Sequence, residues 1–434
     1  MIKINQSILP LCILMLSLLL QSGCSSAAGS RENEYLVRPE EVITIWAWDE
    51  NFNIPAADMA IEKYCRQHED ISIEVITMSQ EETVARMKSA MVSGADNLLP
   101  DIVLIEDYRI QYFLKNYEEE FLELSDMLSE QDFASYKMGV NQVDGRIYGV
   151  PFDSGVVGLF YRLDYVEAAG FREEDMNDLT WAQYIEIGKA VKEATGKDML
   201  TLDPSDLPLI RMMLQSAGEW YCDEQGEVYI SDNQALMDAI RVYCRIVEAG
   251  IAKPVSDWNQ FVRAFRAGEV ASVVSGSWIS STIVEEQSQS GLWRVASLPR
   301  MEENAASVNV SSVGGSGWYV MKNGGQAQEA KQFLQETFAT DTELLGELVD
   351  VINLVGTLKS AEKSRQYQEG VAFYGGQKIF QDFIKWTYAI LPVNYGTSTY
   401  EIESYVAEAI QRILTGEDMT AVLAEYQRLY RQDM

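Results

Sequence analysis

The chain has 434 residues, which at roughly 150 residues per domain is enough for two or three domains. Its 47% hydrophobic and 10% aromatic content argues against global disorder. The formal charge of −32 would repel a polyphosphate backbone, so we expect no nucleic-acid partner.

One histidine, His68, and five cysteines without a CxxC pair limit the available site chemistry. This composition disfavours histidine-based triads, zinc sites and thioredoxin-type redox motifs. We therefore expect no metal and no cofactor. Cys222 and Cys244 are compatible with a disulfide, but Cys244 shares an apolar helix face, which favours free buried thiols.

Residues 1–23 have the pattern of a signal peptide, with an apolar run from Ile8 to Leu20 and two small residues before Cys24. The run is shorter than the roughly 20 apolar residues that a spanning helix needs. The junction resembles a bacterial lipoprotein signal, in which such a cysteine is lipidated and becomes the new N-terminus. This implies an extracytoplasmic protein anchored by lipid to the cell membrane, with a tether over residues 24–40. An ordinary secreted protein with an incidental Cys24 is the alternative.

After the tether, the hydrophobic pattern predicts the order β-α-β-α-β. A capping box at Ser79 opens the second helix of this unit. The predicted strands are Val42–Trp46, Ile71–Ile76 and Ile102–Ile105, and the first helix is Pro55–His68. Crossovers of this length favour a parallel sheet, which binds ligands at the carboxyl ends of its strands.

The next part of the chain carries turn and cap signals between mostly helical segments. Asp144-Gly145 predicts a hairpin, and Thr180 with Gln183 forms a second capping box. Ser231-Asp232 is predicted to cap a helix with Leu236, Ile240, Cys244 and Val247 on one face. A buried strand follows at Val270–Val274, and an amphipathic helix over Ile402–Ile413 ends before Gly416.

Several short segments in a fixed order resemble the extracellular solute-binding proteins of family 1, the sugar-binding lipoproteins of ABC importers. The matching segments are Ile45–Trp48, Pro100–Val103, Gly145–Gly155, Leu159–Arg162, Leu179–Trp181, Gly276–Trp278, Gly314–Gly317 and Ile413–Gly416. They extend across nearly the whole chain after the signal.

The resemblance implies an α/β, two-lobe periplasmic-binding-protein-like fold (type II) with a sugar cleft between the lobes. The first lobe would comprise residues 41–149 and about 318–355, and the second 150–317 and about 356–434. The implied partners are a mono- or oligosaccharide and the membrane permease subunits of an ABC importer. The protein would act as a monomer without catalytic residues.

Candidate ligand-binding residues come from two arguments. The strand-end rule selects Trp48, Asp49 and Asn51 after the first strand, and Glu106 and Asp107 after the third. The resemblance adds Asp153, Trp258, Trp278, Gly315, Ser316, Tyr374, Gln377 and Tyr395, with Tyr400 and Asn394 in the same loops as the last. Aromatic faces and carboxylates suit a saccharide. Trp181, at the start of a predicted helix, is interpreted as structural.

Two other functions remain open at this point. A secreted glycoside hydrolase would use a pair of carboxylates, for which Asp49, Glu106, Asp107 and Asp153 supply candidates. The same fold could instead bind a polyamine or another non-sugar solute; a polyamine is plausible because carboxylates and aromatic rings also suit cations.

Overall fold

A computed structural model of the chain describes residues 42–434. The expected signal peptide, the lipidation site Cys24 and the tether lie outside these described residues. Over residues 42–434, no helix has both the length and the apolar character needed to cross a bilayer.

Two main sheets organise the described part of the chain. Its strands are β1 (Val42–Ala47), β2 (Ser72–Thr77), β3 (Ile102–Glu106), β4 (Gln142–Val143), β5 (Arg146–Ile147), β6 (Gly149–Pro151), β7 (Val157–Arg162), β8 (Leu200–Leu202), β9 (Ala252–Pro254), β10 (Ser272–Gly276), β11 (Trp293–Ala296) and β12 (Ser316–Val320). One sheet has the order β2-β1-β3-β12-β6, and the other has the order β10-β7-β11. We call the parts of the chain around them the first lobe and the second lobe.

Helices cover both sheets. They are α1 (Asn53–Cys65), α2 (Gln80–Ser93), α3 (Asp107–Asn116), α4 (Ser135–Val140), α5 (Leu163–Ala168), α6 (Trp181–Thr195), α7 (Pro208–Ser216), α8 (Gln234–Glu248), α9 (Trp258–Arg266), α10 (Ile279–Val284), α11 (Ala327–Glu336), α12 (Thr342–Ile352), α13 (Ile379–Thr387), α14 (Thr399–Leu414) and α15 (Met419–Asp433). With the sheets, they form the two-lobe α/β fold.

The first lobe confirms the predicted β-α-β-α-β order. β1 lies parallel to both β2 and β3, so the carboxyl ends of these strands meet at one edge. The Ser79 hydroxyl accepts a hydrogen bond from the Glu82 amide at 3.1 Å and begins α2. Gly94, with φ of 64°, ends the helix in the left-handed conformation that glycine adopts without strain.

In the second lobe, β7 pairs antiparallel with β10 and β11. The predicted capping box of α6 is confirmed, because the Thr180 and Gln183 side chains each accept a backbone N–H of the other. The predicted cap of α8 is wrong: Asn233, not Ser231-Asp232, accepts the Leu236 amide at 2.9 Å. Asn233 directly precedes the first residue of α8. Its side-chain oxygen therefore reaches the Leu236 amide, which has no acceptor within the first turn of the helix.

The apolar face predicted for α8 is also shorter than expected. Leu236 and Ile240 are buried, whereas Val247 is 39% exposed near the end of the helix. Cys222 and Cys244 are free thiols.

Three neighbouring segments of the chain, around Ser154, Val313 and Val355, connect the lobes. Val313 donates its amide to the Gly155 carbonyl at 2.9 Å, and Ser154 donates to the Val355 carbonyl at 2.9 Å. The first sheet includes Val150–Pro151 and Ser316–Gly317, which the expected boundaries assign to the second lobe. We propose that the lobe boundaries lie just beyond these strand ends.

Candidate functional site

A cavity of about 540 Å³ lies between the two lobes, and we call it the interlobe cavity. Its first-lobe side is formed by residues at strand ends and helix starts: Trp48, Asp49, Phe52, Asn53, Glu106, Asp153, Gly315 and Ser316. Its second-lobe side includes Leu200, Arg211, Met212, Trp258, Phe261, Val273, Ser275 and Trp278. The second-lobe side also carries Arg211 and the carboxylates of Asp203, Asp206 and Asp257, so the cavity combines aromatic rings with polar groups.

Asp153 lies just after β6, where the chain leaves the first sheet, and only 4% of it is exposed. Its Oδ1 accepts a hydrogen bond from the Ser316 hydroxyl at 2.7 Å. The Ser316 carbonyl accepts from Lys137 Nζ at 3.0 Å. Two strands and a buried cation thus fix this carboxylate in the cavity wall.

Glu106 ends β3 and also lines the interlobe cavity. Both of its carboxylate oxygens accept from the Tyr400 hydroxyl at 2.8 Å, and Arg109 Nε lies 3.4 Å from Oε2. Burial raises the pKa of Glu106, although the positive charge of Arg109 and the bond from Tyr400 act in the opposite direction.

The loop after β1 brings Trp48 and Asp49 to the cavity. Asp49 has φ of 65°, and its Oδ1 accepts the Asn51 amide at 2.9 Å, which forms a turn into α1. Asn51 itself is exposed and is not part of the cavity lining.

Two indole rings dominate the second-lobe side. Trp278 follows β10, and its Nε1 donates to the Val313 carbonyl at 3.1 Å. The Trp258 ring, half exposed, lies with its centroid 6.0 Å from that of Trp278. Gly276 makes room for the Trp278 indole, because a Cβ there would lie 2.2 Å from Nε1.

On the first-lobe side, Gly315 also occupies a position that has no room for a side chain. It has φ of 88°, and an added Cβ would lie 2.9 Å from Asp107 Oδ2 and 3.1 Å from Lys137 Nζ. A side chain at this position would therefore collide with the groups that hold Ser316 in place.

Four further predicted site residues do not line the cavity, because their polar groups are bonded to other parts of the protein. Asp107 is fully buried and binds Lys137 Nζ with both oxygens at 2.7 Å. Tyr374 contacts the Ser280 hydroxyl at 2.7 Å. The Gln377 amide bonds both backbone groups of Val295, and the Tyr395 hydroxyl donates to Gln215 Oε1 at 2.9 Å.

Sequence reasoning missed Arg211, which lies on α7 and lines the interlobe cavity. It is 4% exposed and pairs with Glu403 on α14 and with Asp206 Oδ1, the latter at 2.9 Å. A lone arginine among apolar residues in Pro208–Ser216 is the signal that could have indicated a buried ion pair. Over residues 42–434, no group of three or more His, Cys, Asp or Glu residues is arranged to hold a metal ion.

Comparison with solved structures identifies the fold. The GacH receptor of Streptomyces glaucescens, solved unliganded and with acarbose, matches with a TM-score of 0.74 and 18% identity, over 90% of this chain and 97% of that one. The galacto-N-biose/lacto-N-biose I-binding protein of the Bifidobacterium longum ABC transporter matches with a TM-score of 0.72 and 21% identity, over 92% and 98%. The fold is that of two-lobe solute-binding proteins.

Sequence comparison then gives the family. The model for bacterial extracellular solute-binding proteins matches residues 59–374. A lactose-binding protein of Rhizobium radiobacter is 39% identical over 400 residues, which cover 92% of each chain. The chain belongs to the bacterial extracellular solute-binding protein family, whose members act outside the cytoplasm.

Proposed function

We propose that this protein captures a galactose-containing saccharide such as lactose in the interlobe cavity and presents it to the membrane subunits of an ABC importer. The observation that carries the proposal is the pairing of indole rings on one side of the cavity with fixed carboxylates on the other. Sugars present apolar C–H faces and hydroxyl groups, and these two surfaces match them in kind. The cavity volume of about 540 Å³ falls within the range of roughly 300–1,000 Å³ that is typical of small-molecule binding sites.

The relative that binds lactose supports the choice of sugar, because its similarity extends along almost the whole of both chains. The protein would act as a monomeric binder that leaves its ligand intact. Incubation with lactose followed by chromatography tests this, since a glycoside hydrolase would release monosaccharides.

A polyamine is the second candidate, because acidic residues outnumber Arg211 in the cavity lining. Two of these carboxylates, however, are already paired with arginines: Asp206 with Arg211, and Glu106 with Arg109. A polyamine would have to compete with these arginines for the two carboxylates, so the ion pairs favour a neutral ligand.

Thermal unfolding with lactose, arabino-oligosaccharides, maltose and spermidine distinguishes these ligands. A ligand at 100 times its Kd should add about 2.7 kcal/mol to the free energy of unfolding. We expect lactose to give the largest increase in Tm. An increase with spermidine alone would contradict the proposal.

We also propose that Cys24 carries the lipid that anchors the protein to the cell membrane. The small residues before Cys24 and the Gly- and Ser-containing stretch after it support this role. Cys24→Ala should abolish labelling by a fatty-acid analogue, whereas Cys65→Ala should be labelled like the wild type. Equal labelling of Cys24→Ala and wild type would contradict the anchor.

A further inference from the structure

We propose that Asn53 is a ligand-binding residue: its side-chain oxygen, Oδ1, accepts a hydrogen bond from one hydroxyl group of the bound saccharide. Sequence reasoning selected Asn51, two residues earlier, and not Asn53. The inference rests on the proposed function, because the hydroxyl donor belongs to the captured sugar.

The Asn53 side chain is buried, and its oxygen has no partner. Asn53 lines the interlobe cavity on the first-lobe side, and only 4% of it is exposed. Within residues 42–434, no protein group donates a hydrogen bond to Oδ1. A buried polar atom that lacks a partner destabilises the fold, so such an atom in a folded protein needs an explanation. A donor that arrives with the ligand would satisfy it.

The usual structural role of an asparagine at the start of a helix does not apply to Asn53. Such a residue precedes the helix and accepts a backbone N–H of its first turn. Asn53 is instead the first residue of α1, and its side chain caps no amide. The Asp49 carbonyl accepts the Phe52 and Ile54 amides at 3.3 Å and 3.1 Å, so backbone bonds hold the start of α1. The Asn53 carboxamide is therefore left available to a ligand.

The position of Asn53 in the cavity wall separates it from other buried polar atoms without a hydrogen bond. Nine side-chain nitrogen or oxygen atoms of the described residues are of this kind, and two of them, Asn53 Oδ1 and Arg211 Nε, belong to residues that line the interlobe cavity. Arg211 already uses its terminal nitrogens for Glu403 and Asp206. Asn53 is therefore the stronger candidate for a ligand contact.

The neighbours of Asn53 indicate which kind of group it binds. Asp49, four residues earlier, and Asp153 line the same side of the cavity. Ionised carboxylates and the amide oxygen are all acceptors, so this side suits a ligand with several O–H donors, as a sugar has. Loss of one neutral hydrogen bond should weaken binding by roughly 3- to 10-fold.

The test compares Asn53→Ala with Asn233→Ala. Asn233 is 1% exposed and also lies at the start of a helix, but its oxygen accepts the Leu236 amide at 2.9 Å and its Nδ2 donates to the Trp220 carbonyl at 2.7 Å. Asn53→Ala should weaken lactose binding in calorimetric titration by roughly 3- to 10-fold. It should leave the Tm of the ligand-free protein unchanged or higher, because Oδ1 has no bond to lose. Asn233→Ala should lower the Tm and keep the wild-type Kd.

Monofluorinated lactoses identify the donor. Replacement of one hydroxyl group by fluorine removes a single O–H donor from the sugar. One of these lactoses should bind the wild type more weakly than lactose does. The difference should disappear in Asn53→Ala, because the two changes remove the same hydrogen bond.

Three results would overturn the inference. The first is wild-type affinity for lactose in Asn53→Ala. The second is a loss of affinity together with a fall in Tm as large as that of Asn233→Ala, which would assign Asn53 a structural role. The third is a set of fluorine effects that is the same in Asn53→Ala and wild type, which would mean that Asn53 contacts no hydroxyl group.

Failure of the proposed function gives a different result. If the wild type binds no sugar, the proposed function fails, and the inference falls with it. If the wild type binds lactose and Asn53→Ala binds it equally well, the proposed function stands and only the inference fails.

Discussion

On the first-lobe side of the interlobe cavity, the polar groups are carboxylates that other side chains hold in place, whereas the second-lobe side presents two indole rings. Asp153 is fixed by Ser316, and Glu106 by Tyr400. Trp278 makes a single backbone hydrogen bond, and Trp258 is half exposed. Ligand binding on the first-lobe side should therefore depend on directed hydrogen bonds. On the second-lobe side it should depend on the area of aromatic ring available for stacking.

Substitutions on the two sides of the cavity should therefore weaken ligand binding for different reasons. A change on the first-lobe side removes a directed hydrogen bond and leaves a buried partner unsatisfied. A change on the second-lobe side removes stacking area, which a smaller ring can partly restore. Both should differ from a change in the scaffold, which lowers stability and leaves affinity intact.

The largest effect on the free energy of unfolding is expected for a buried residue outside the cavity. Trp181 begins α6, is fully buried and does not line the cavity. Trp181→Ala should lower the free energy of unfolding by about 3–5 kcal/mol because it leaves a void. Urea denaturation measures the loss, and calorimetric titration of the folded variant should give the wild-type Kd. A large loss of affinity would mean that Trp181 belongs to the site.

Asp153 tests the first-lobe side. Asp153→Ala should weaken lactose binding by about 10- to 100-fold, because a hydrogen bond to a charged group contributes about 1.5–3 kcal/mol. Asp153→Asn retains the shape and an acceptor for Ser316, so it should lose less. Isothermal titration calorimetry measures both. Wild-type affinity in Asp153→Ala would remove this residue from the site.

Trp278 tests the second-lobe side. Trp278→Ala should reduce the binding free energy by at least about 1 kcal/mol through lost stacking area. Trp278→Phe keeps a ring face but loses the indole bond to Val313, and it should recover part of the loss. If Trp278→Phe binds no better than Trp278→Ala in the same calorimetric titration, stacking is not the contribution of this residue.

The smallest effect concerns the pH dependence of stability that arises from Glu106 on the first-lobe side. The pKa of Glu106 is raised by burial, so between its unfolded and folded values the folded protein binds more protons than the unfolded chain. The free energy of unfolding should therefore fall as pH rises through that window, by at most about 1.4 kcal/mol per unit of pKa shift.

Glu106→Gln should lack this slope. Urea unfolding of both proteins from about pH 4 to neutral pH isolates it as the difference between the two curves. Identical slopes would mean that Glu106 does not carry a raised pKa.

The sequence predicted the first lobe well because its signals are local. The apolar runs of the strands and the Ser79 cap are each read within a few residues, and the structure follows them. The strand-end rule then located Trp48, Asp49 and Glu106 at the cavity. These positions follow from the parallel order of three strands, which short crossovers determine.

The loops near the C-terminus were harder to interpret because burial there is decided by distant contacts. Tyr374, Gln377 and Tyr395 have the residue types of a sugar site, yet their partners Ser280, Val295 and Gln215 are far away in sequence. Arg211 was missed for the same reason, since its partner Glu403 lies on the last but one helix.

A crystal structure with saturating lactose tests the central claim most directly. We predict one sugar in the interlobe cavity, with a ring face against Trp278 and a hydroxyl group within hydrogen-bond distance of the Asp153 carboxylate. Density for the sugar outside the cavity, or in contact with only one of the two sides, would contradict the account.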